Sequence, residues 1–252
     1  MTIRNQRILA TIPEQGSGIE YGPLHRTLVP KSGSRSIRYV DFAPRDVLVK
    51  KYESDPNVDV ELIPDIDIVT DGRRVDEFID PDSLDFVVAS HIAEHVPDLV
   101  GWIQANLNIL RIGGRIAIAF PDRRYCFDLA KQPSQTSDLI AAYLEERTRP
   151  SFQQQCDHFF NIRQVTPSQV WNGEVTPKTA PLIHQPHKAV DILRALQKRS
   201  DYVDVHCWKF SDTEFFDTIN TVRALFDLPF QIVSLFPTQC GTTEFYATLE
   251  KT

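Results

Sequence analysis

The sequence predicts an α/β protein built around a doubly wound, mostly parallel sheet. The clearest part of the pattern covers residues 84–128, where a short apolar strand, an amphipathic helix and a second apolar strand follow one another. Polar or ionisable residues come directly after both strands, and open α/β sheets bind their ligands at the carboxyl ends of strands. Because 252 residues are enough to bury one full core, we predict a single domain over residues 1–252.

The composition argues against several classes of function. The chain has 27 Lys and Arg against 34 Asp and Glu, with a net charge of −7. Nucleic-acid binding rests on neutralising phosphates, so we expect no nucleic-acid partner. No apolar run reaches the roughly eighteen residues of a membrane span, and residues 1–15 lack the apolar core of a secretory signal. The four cysteines are scattered without a C-x-x-C pair, so we expect unpaired thiols and a cytoplasmic location.

The first two strands are expected to end in ligand-binding positions. After an N-terminal arm over residues 1–17, residues 18–22 read as a strand with a glycine turn, where the backbone can approach a ligand closely. Residues 37–41 read as the second strand. Asp41 follows the glycine turn by about twenty residues, the spacing of a carboxylate that binds two ribose hydroxyls. A helix N-cap is the alternative role for Asp41.

The remaining elements follow from the same reasoning. Residues 58–64 are expected to form the third strand, and Gly113-Gly114 are expected to end the helix that begins at Asp98. An insertion over about residues 130–204 is expected to cap the ligand side of the sheet, because long functional loops usually lie there. Ser211 and Glu214 predict a capped helix. Apolar runs predict two closing strands over residues 230–236 and 243–249.

Two segments, LDFVVASHIAEHVPD and LRIGGRIAIAFPD, resemble the second half of the class I S-adenosylmethionine (SAM)-dependent methyltransferase fold. The resemblance implies a Rossmann-like seven-stranded sheet with an antiparallel C-terminal hairpin, a helical cap and SAM as cofactor. The segments PLHRTLVPK, ASHIAEHVPD and FPDRRYCFD are similar to those of methyltransferases of bacterial polysaccharide assembly, including enzymes that make methylated mannosides in mycobacteria. An O-methyltransferase acting on a hydroxyl of a saccharide is therefore expected.

The resemblance also implies which residues hold the cofactor. Asp67 with Ile68 fits the pair that binds the adenine ring, and Asp65 with Ile66 is the alternative. Pro23 and Leu24 replace the later glycines of the family's first turn, which implies a wider loop and argues against a dinucleotide pyrophosphate site. The full set of expected cofactor-binding residues is Glu20, Tyr21, Gly22, His25, Asp41, Asp67, Ile68, Ser90 and His91.

Methyl transfer to an alcohol calls for a general base, because the hydroxyl proton must leave. His158 is the first candidate, since it lies between an acid and two phenylalanines in the expected cap. A hydrogen-bonded core histidine is the alternative. His91 is expected to be a cofactor contact or the base, and Asp122 is the third catalytic candidate. His95 is expected to be structural, while His206 could line the acceptor cavity.

The acceptor is expected to meet the loop after the fifth strand and the cap. Arginines suit a carboxylate, a phosphate or a hydroxyl-rich ligand, although a solvated loop is the alternative. Aromatic rings suit the apolar face of a sugar. The expected substrate-binding residues are Arg123, Arg124, Tyr125, Asp157, His184 and Trp208.

Several alternatives remain open at this stage. A divalent cation such as Mg²⁺ is compatible with Asp122, Asp157 and nearby histidines, but no spacing is typical of a metal site. A homodimer is equally compatible. A small-molecule N- or O-methyltransferase of secondary metabolism is one alternative function, and a non-catalytic SAM-fold binding module is another. The missing G-x-G-x-x-G disfavours a nicotinamide dehydrogenase.

Overall fold

A computed structural model describes residues 2–252, and its centre is one seven-stranded sheet. The strand order is β3-β2-β1-β4-β5-β7-β6, and β7 is antiparallel to both of its neighbours while the other pairs are parallel. The strands are β1 (Gly16–Tyr21), β2 (Arg35–Asp41), β3 (Ile68–Val69), β4 (Leu84–Ser90), β5 (Leu110–Pro121), β6 (Phe230–Phe236) and β7 (Glu244–Lys251). This topology confirms the expected Rossmann-like class I methyltransferase fold with its antiparallel C-terminal strands.

Eight α-helices surround the sheet within residues 2–252. They are α1 (Ile3–Leu9), α2 (Arg45–Tyr52), α3 (Leu99–Ile109), α4 (Thr136–Leu144), α5 (Phe152–Asn161), α6 (Pro167–Trp171), α7 (Pro186–Leu196) and α8 (Asp212–Leu225). Asp98 caps α3 by accepting the Gly101 N–H at 2.9 Å. The predicted capping box of Ser211 and Glu214 starts α8, with both reciprocal hydrogen bonds present. None of the helices described here combines the length and apolarity that crossing a membrane requires.

The third strand does not lie where the sequence suggested. Residues 60–62 form a 3₁₀ turn capped by the Asp59 side chain, and Pro64 has no N–H to donate to a strand ladder. β3 begins only at Ile68 and pairs with the end of β2. The expected helix stop at Gly113-Gly114 is also wrong, because α3 ends at Ile109 and the chain enters β5 at once. The two glycines lie in an irregular stretch of β5, where the register to β4 shifts.

Both faces of the sheet are covered. On one face α3, α4 and α8 form the larger core, in which Leu139 and Ala142 of α4 are fully buried. On the other face Ile8 and Ile12 of the N-terminal arm pack against β4 and β5; Met1 lies outside the described residues. Because α4 belongs to the core, the segment that could cap the acceptor side is shorter than residues 130–204. All four cysteines are unpaired, as expected.

Candidate functional site

The parallel strands bring the polar strand tips together at one edge of the sheet. Gly22 follows β1 with a φ of +53°, and a Cβ there would lie 2.5 Å from Ile92 Cδ1, so glycine allows this turn to approach the loop after β4. Leu24, two residues later, also has a left-handed backbone, with a φ of +42°.

Polar atoms without partners point to a ligand at this edge. Ser90 Oγ, at the end of β4, and His25 Nδ1, in the loop after β1, are buried and have no hydrogen-bond partner. Buried polar groups are nearly always paired, so each such atom needs an explanation. Asp41 ends β2 at the same edge of the sheet; it accepts the Phe42 N–H at 2.7 Å, and burial raises the pKa of its carboxyl. These groups are suited to a ligand that carries hydroxyl and amino groups, as SAM does.

Two residues expected to bind the cofactor instead support the loop and the core. Glu20 is buried and accepts the backbone N–H groups of Leu28 and Val29 at 2.8 and 2.9 Å. Burial raises the pKa of Glu20 to about 7, although both amides oppose the shift. Tyr21 donates its hydroxyl to Asn106 at 3.0 Å, and burial raises its pKa. Glu20 therefore fixes the turn after β1 rather than facing its ligand side.

The expected adenine pair lies at the wrong end of its strand, and the alternative pair, Asp65 with Ile66, precedes β3 as well. Asp67 precedes β3, where it binds Lys31 Nζ at 2.6 Å and accepts the Tyr39 N–H at 2.7 Å. Ile68 is part of the core. The carboxyl end of β3 carries Asp71 instead, with a φ of +49°. The error follows directly from the misplaced third strand.

His91 is held as a cation rather than as a base. It directly follows β4 with a φ of +55°, and its Nε2 lies 2.5 Å from Glu244 Oε2 while its Nδ1 lies 3.3 Å from Glu94 Oε1. Burial opposes the charged form, but Glu244 and Glu94 raise the pKa of His91 to about 9. Arg4 from α1 also binds Glu244, at 2.7 Å. An imidazolium has no lone pair for a proton, so His91 is not suited to the role of general base.

His158 is also poorly suited to that role, for the opposite reason. It lies on α5 with its Nδ1 3.3 Å from the buried Lys131 Nζ. Burial and the Lys131 charge lower the pKa of His158 to about 3. A base that weak takes up little proton at neutral pH. The alternative reading of His158 as a partly buried, structurally engaged histidine fits this geometry better.

The two arginines of the loop after β5 form ion pairs with α8. Asp122 is fully buried and accepts from Arg124 Nη2 at 2.6 Å and from Thr238 Oγ1 at 2.7 Å. Arg124 also binds Asp212, and Arg123 binds Glu214 at 2.9 Å, both in the first turn of α8. Asp122 is therefore engaged as a structural ion pair, which leaves it unsuited to act as a base or to hold Mg²⁺.

Of the remaining residues predicted to bind the substrate, one lines the cavity and the others lie in the core or outside the cavity. Tyr125 stacks on Trp171 with ring centroids 3.8 Å apart and lines a cavity at the carboxyl edge. Trp208 is fully buried and donates its indole N–H to the Val96 carbonyl at 2.6 Å, so it supports the core and not a substrate. Asp157 binds Lys209 Nζ at 2.9 Å and is thereby occupied, and His184 packs near a phenylalanine of α5 outside the cavity lining.

Residues that are distant in the sequence line one cavity at this edge of the sheet. Its volume is about 320 Å³, and its lining includes His91, Glu94, His95, Tyr125, Phe127 and His206. The backbone N–H groups of Cys207 and Trp208 donate to the Glu94 carbonyl at 2.7 and 3.2 Å. These bonds fix the segment before α8 against the 3₁₀ turn after β4, and so bring His206 beside Glu94 and His95.

His206 contacts a buried ion pair formed by Asp128 and Lys131. Asp128 Oδ2 lies 2.6 Å from His206 Nδ1, and Asp128 Oδ1 lies 2.6 Å from Lys131 Nζ. Burial alone would raise the pKa of Asp128, but His206 and Lys131 hold it far below its usual range. Burial likewise opposes ionisation of Glu94, whereas His91, His206 and His95 lower its pKa. Both carboxyl groups are therefore anionic at neutral pH.

No protein-family model matches the chain, and no curated protein matches it either. Among solved structures, a proposed Zn-dependent alcohol dehydrogenase from Rhodobacter sphaeroides is similar with a TM-score of 0.55 and 12% identity, over 100% of this chain and 90% of that one. A proposed SAM-dependent methyltransferase from Listeria monocytogenes has a TM-score of 0.48 and 12% identity, over 98% and 96%. Another from Methanococcus maripaludis has 0.45 and 15%, over 98% and 83%. At such low identities the similarity is one of fold alone.

Proposed function

We propose that the protein is a SAM-dependent O-methyltransferase that methylates a hydroxyl group of a saccharide. One observation carries the proposal. The carboxyl edge of a class I methyltransferase sheet holds buried polar atoms without partners, and a cavity at this edge is lined by the acid Glu94, three imidazoles and two aromatic rings. In open α/β sheets this edge is where ligands bind.

The residues at the strand ends are suited to hold SAM. The turn at Gly22 offers its backbone, and Asp41 offers a carboxylate for the ribose hydroxyls. Asp71 takes the adenine role first given to Asp67, because it stands at the carboxyl end of β3. Ser90 Oγ and His25 Nδ1 gain the partners that they lack.

The chain must bring the acceptor oxygen into line with the methyl group and give its proton a destination. When bound, SAM would supply a methyl group on a sulfonium for transfer to the acceptor oxygen, and a group of the chain would take up the hydroxyl proton. Correct alignment can lower the barrier by about 7–11 kcal/mol. Because His91 and His158 are unsuited as bases, the groups left to interact with the hydroxyl are Glu94, His95 and His206, which all line the cavity.

The cavity wall favours a saccharide among hydroxyl compounds. A sugar ring presents an apolar face and a polar rim, and aromatic rings match the former while acids and imidazoles match the latter. Tyr125, stacked on Trp171, and Phe127 supply flat apolar surface. Glu94 and His206 supply hydrogen-bonding groups for the polar rim of the sugar.

Calorimetric titration with SAM tests the cofactor assignment. We expect wild-type binding, and we expect Asp41→Ala to weaken it by about 1.5–3 kcal/mol, the value of a charge-assisted hydrogen bond. Asp46→Ala removes the same charge from the exposed first turn of α2 and should leave SAM affinity unchanged. Failure of the wild type to bind SAM would refute the proposal, and equal binding by Asp41→Ala would remove Asp41 from the site.

A panel of acceptors tests the substrate class. The protein is incubated with SAM and with mono- and oligosaccharides, phenols or amines, and methylated products are detected by mass spectrometry. We expect products only from saccharides. Turnover of phenols or amines with no saccharide product would contradict the saccharide assignment while leaving the methyltransferase assignment intact.

A further inference from the structure

Glu94, His95 and His206 form a compact group of potential metal ligands, which we call the acid–imidazole cluster. Their ligand atoms lie within 4.8 Å of one another, and no other group of this kind occurs in the part of the chain that the structure describes. We propose that this cluster binds a divalent transition-metal ion. An ion sits about 2.1 Å from nitrogen or oxygen ligands, which places them about 3–4 Å apart, so small side-chain shifts complete the site.

Glu94 is the strongest sign that something is bound here. Its side chain is fully buried, and neither carboxylate oxygen has a hydrogen-bond partner. The nearest cationic group is His91 Nδ1, at 3.3 Å from one of the oxygens. A buried anion without hydrogen bonds is costly to the fold. A cation in the cluster would remove that cost by coordinating the free oxygens.

The two histidines are oriented as metal ligands usually are. Ligating histidines commonly hold their other ring nitrogen against a carboxylate, which fixes the tautomer and the ring plane. His206 Nδ1 lies 2.6 Å from Asp128, and His95 Nδ1 lies 2.8 Å from Asp204. Each ring therefore keeps Nε2 as the nitrogen left for an ion. His95 Nε2 is already 3.9 Å from Glu94 Oε1.

The backbone holds the cluster ready without an ion. The main-chain bonds from Cys207 and Trp208 to the Glu94 carbonyl join its two halves. Tyr202 adds a hydrogen bond from its hydroxyl to the His95 carbonyl at 2.9 Å. A site held by such contacts loses little conformational entropy on binding, which favours affinity.

The ligand set selects the kind of metal. Mg²⁺ prefers oxygen ligands, whereas two imidazoles with one carboxylate suit Zn²⁺, Co²⁺, Mn²⁺ or Fe²⁺. Three protein ligands leave further coordination positions open, as in catalytic metal sites, and all three residues line the cavity. A hydroxyl that occupied an open position would have its pKa lowered. This last consequence rests on the proposed function; metal binding itself does not.

Titration of chelator-treated full-length protein with Co²⁺, without SAM or acceptor, tests the proposal. We expect one equivalent to bind, seen by calorimetry and by visible absorption of the bound ion, and we expect Co²⁺ to raise the Tm. Loss of outer partners already costs metal sites about 10–100-fold in affinity. We therefore expect His206→Gln and Glu94→Gln, which remove ligands, to weaken binding by at least about 100-fold.

His187→Gln is the matched control, since His187 is exposed on α7 and should leave Co²⁺ affinity unchanged. Glu94→Gln keeps the size of the side chain and removes a buried charge, so it decides the question if His206→Gln does not fold. Absence of Co²⁺ binding by the wild type would overturn the proposal, as would equal affinity in Glu94→Gln. The proposed function fails separately, through SAM titration.

Discussion

The buried ion pair of Asp128 and Lys131 gives the sharpest test of the energetics behind the cavity. The two charged atoms lie 2.6 Å apart, and the side chains are 1% and 0% exposed. Asp128→Asn leaves the charge of Lys131 buried without a carboxylate, which typically costs about 3–5 kcal/mol. Lys131→Met leaves Asp128 in contact with His206 Nδ1 at 2.6 Å. We therefore expect Asp128→Asn to lower the free energy of unfolding by about 3–5 kcal/mol and Lys131→Met to lower it by less. For a chain of this size the loss in Asp128→Asn corresponds to a fall in Tm of about 6–9 °C.

The double variant Asp128→Asn/Lys131→Met tests whether the two residues stabilise the fold as a pair. Because no uncompensated charge remains, we expect it to be more stable than the sum of the single losses predicts, with a coupling energy of at least about 2 kcal/mol. Urea denaturation in the presence of a chelator, followed by circular dichroism, measures all four proteins. The exposed pair Arg194 and Asp191 is the control cycle and should show no resolvable coupling. Additivity of the Asp128 and Lys131 losses within about 0.5 kcal/mol would refute the reasoning.

Two further predictions concern β1. Gly18→Ala places a Cβ 2.5 Å from the Phe86 carbonyl oxygen, so we expect urea denaturation to show a free energy of unfolding lower by about 1–3 kcal/mol. Gly33→Ala, whose nearest neighbour atom is at 3.4 Å, should leave the free energy of unfolding nearly unchanged. Equal effects of the two variants would contradict the packing argument. The pKa of Glu20 rises from 4.5 to about 7 on folding, so both states are protonated at low pH and the folded state loses about 3 kcal/mol of stability as pH rises through that window. Glu20→Gln should remove this loss, so that its stability relative to wild type increases by about 3 kcal/mol between pH 4.5 and pH 8. Glu53→Gln, at an exposed position, is the matched control, and a difference that stays constant with pH for Glu20→Gln would count against the raised pKa of Glu20.

The sequence predicts those elements whose causes are local. The capping box at Ser211 and Glu214 is a contact across one helical turn, and it starts α8 as expected. The apolar runs of β4 and β5 are long enough to be recognised without their partners. β3 is only two residues long and exists because Ile68 and Val69 pair with the end of β2. A strand specified by its neighbour leaves almost no periodicity of its own, and the errors at Asp67 and Ile68 follow from it.

The site was less predictable than the fold because its parts are distant in sequence. The sequence predicts His91 and Tyr125 as site residues because they lie in the loops after β4 and β5; both line the cavity, and their roles stay predictions. The sequence predicts a structural role for His95 in its turn, and nothing in its local sequence shows that His206 packs against it. The available signal was the acid before each member: Asp204 precedes His206 by two residues, and Glu94 precedes His95. Such patterns acquire meaning only once the chain is folded.

The charges around the cavity alternate, and this order explains how so many ionisable groups share a buried edge. Arg4 binds Glu244, Glu244 binds His91, and His91 Nδ1 stands 3.3 Å from Glu94. Two cations, Arg4 and His91, alternate with two anions, Glu244 and Glu94, and Glu94 is the member whose carboxylate oxygens have no hydrogen bond. The path also joins α1 and β7, the two ends of the described chain, to the turn after β4. Since an incomplete network of buried charges is costlier than none, the edge is most favourable when both ends of the path have docked, and the oxygens of Glu94 are where we propose that a metal ion completes the network.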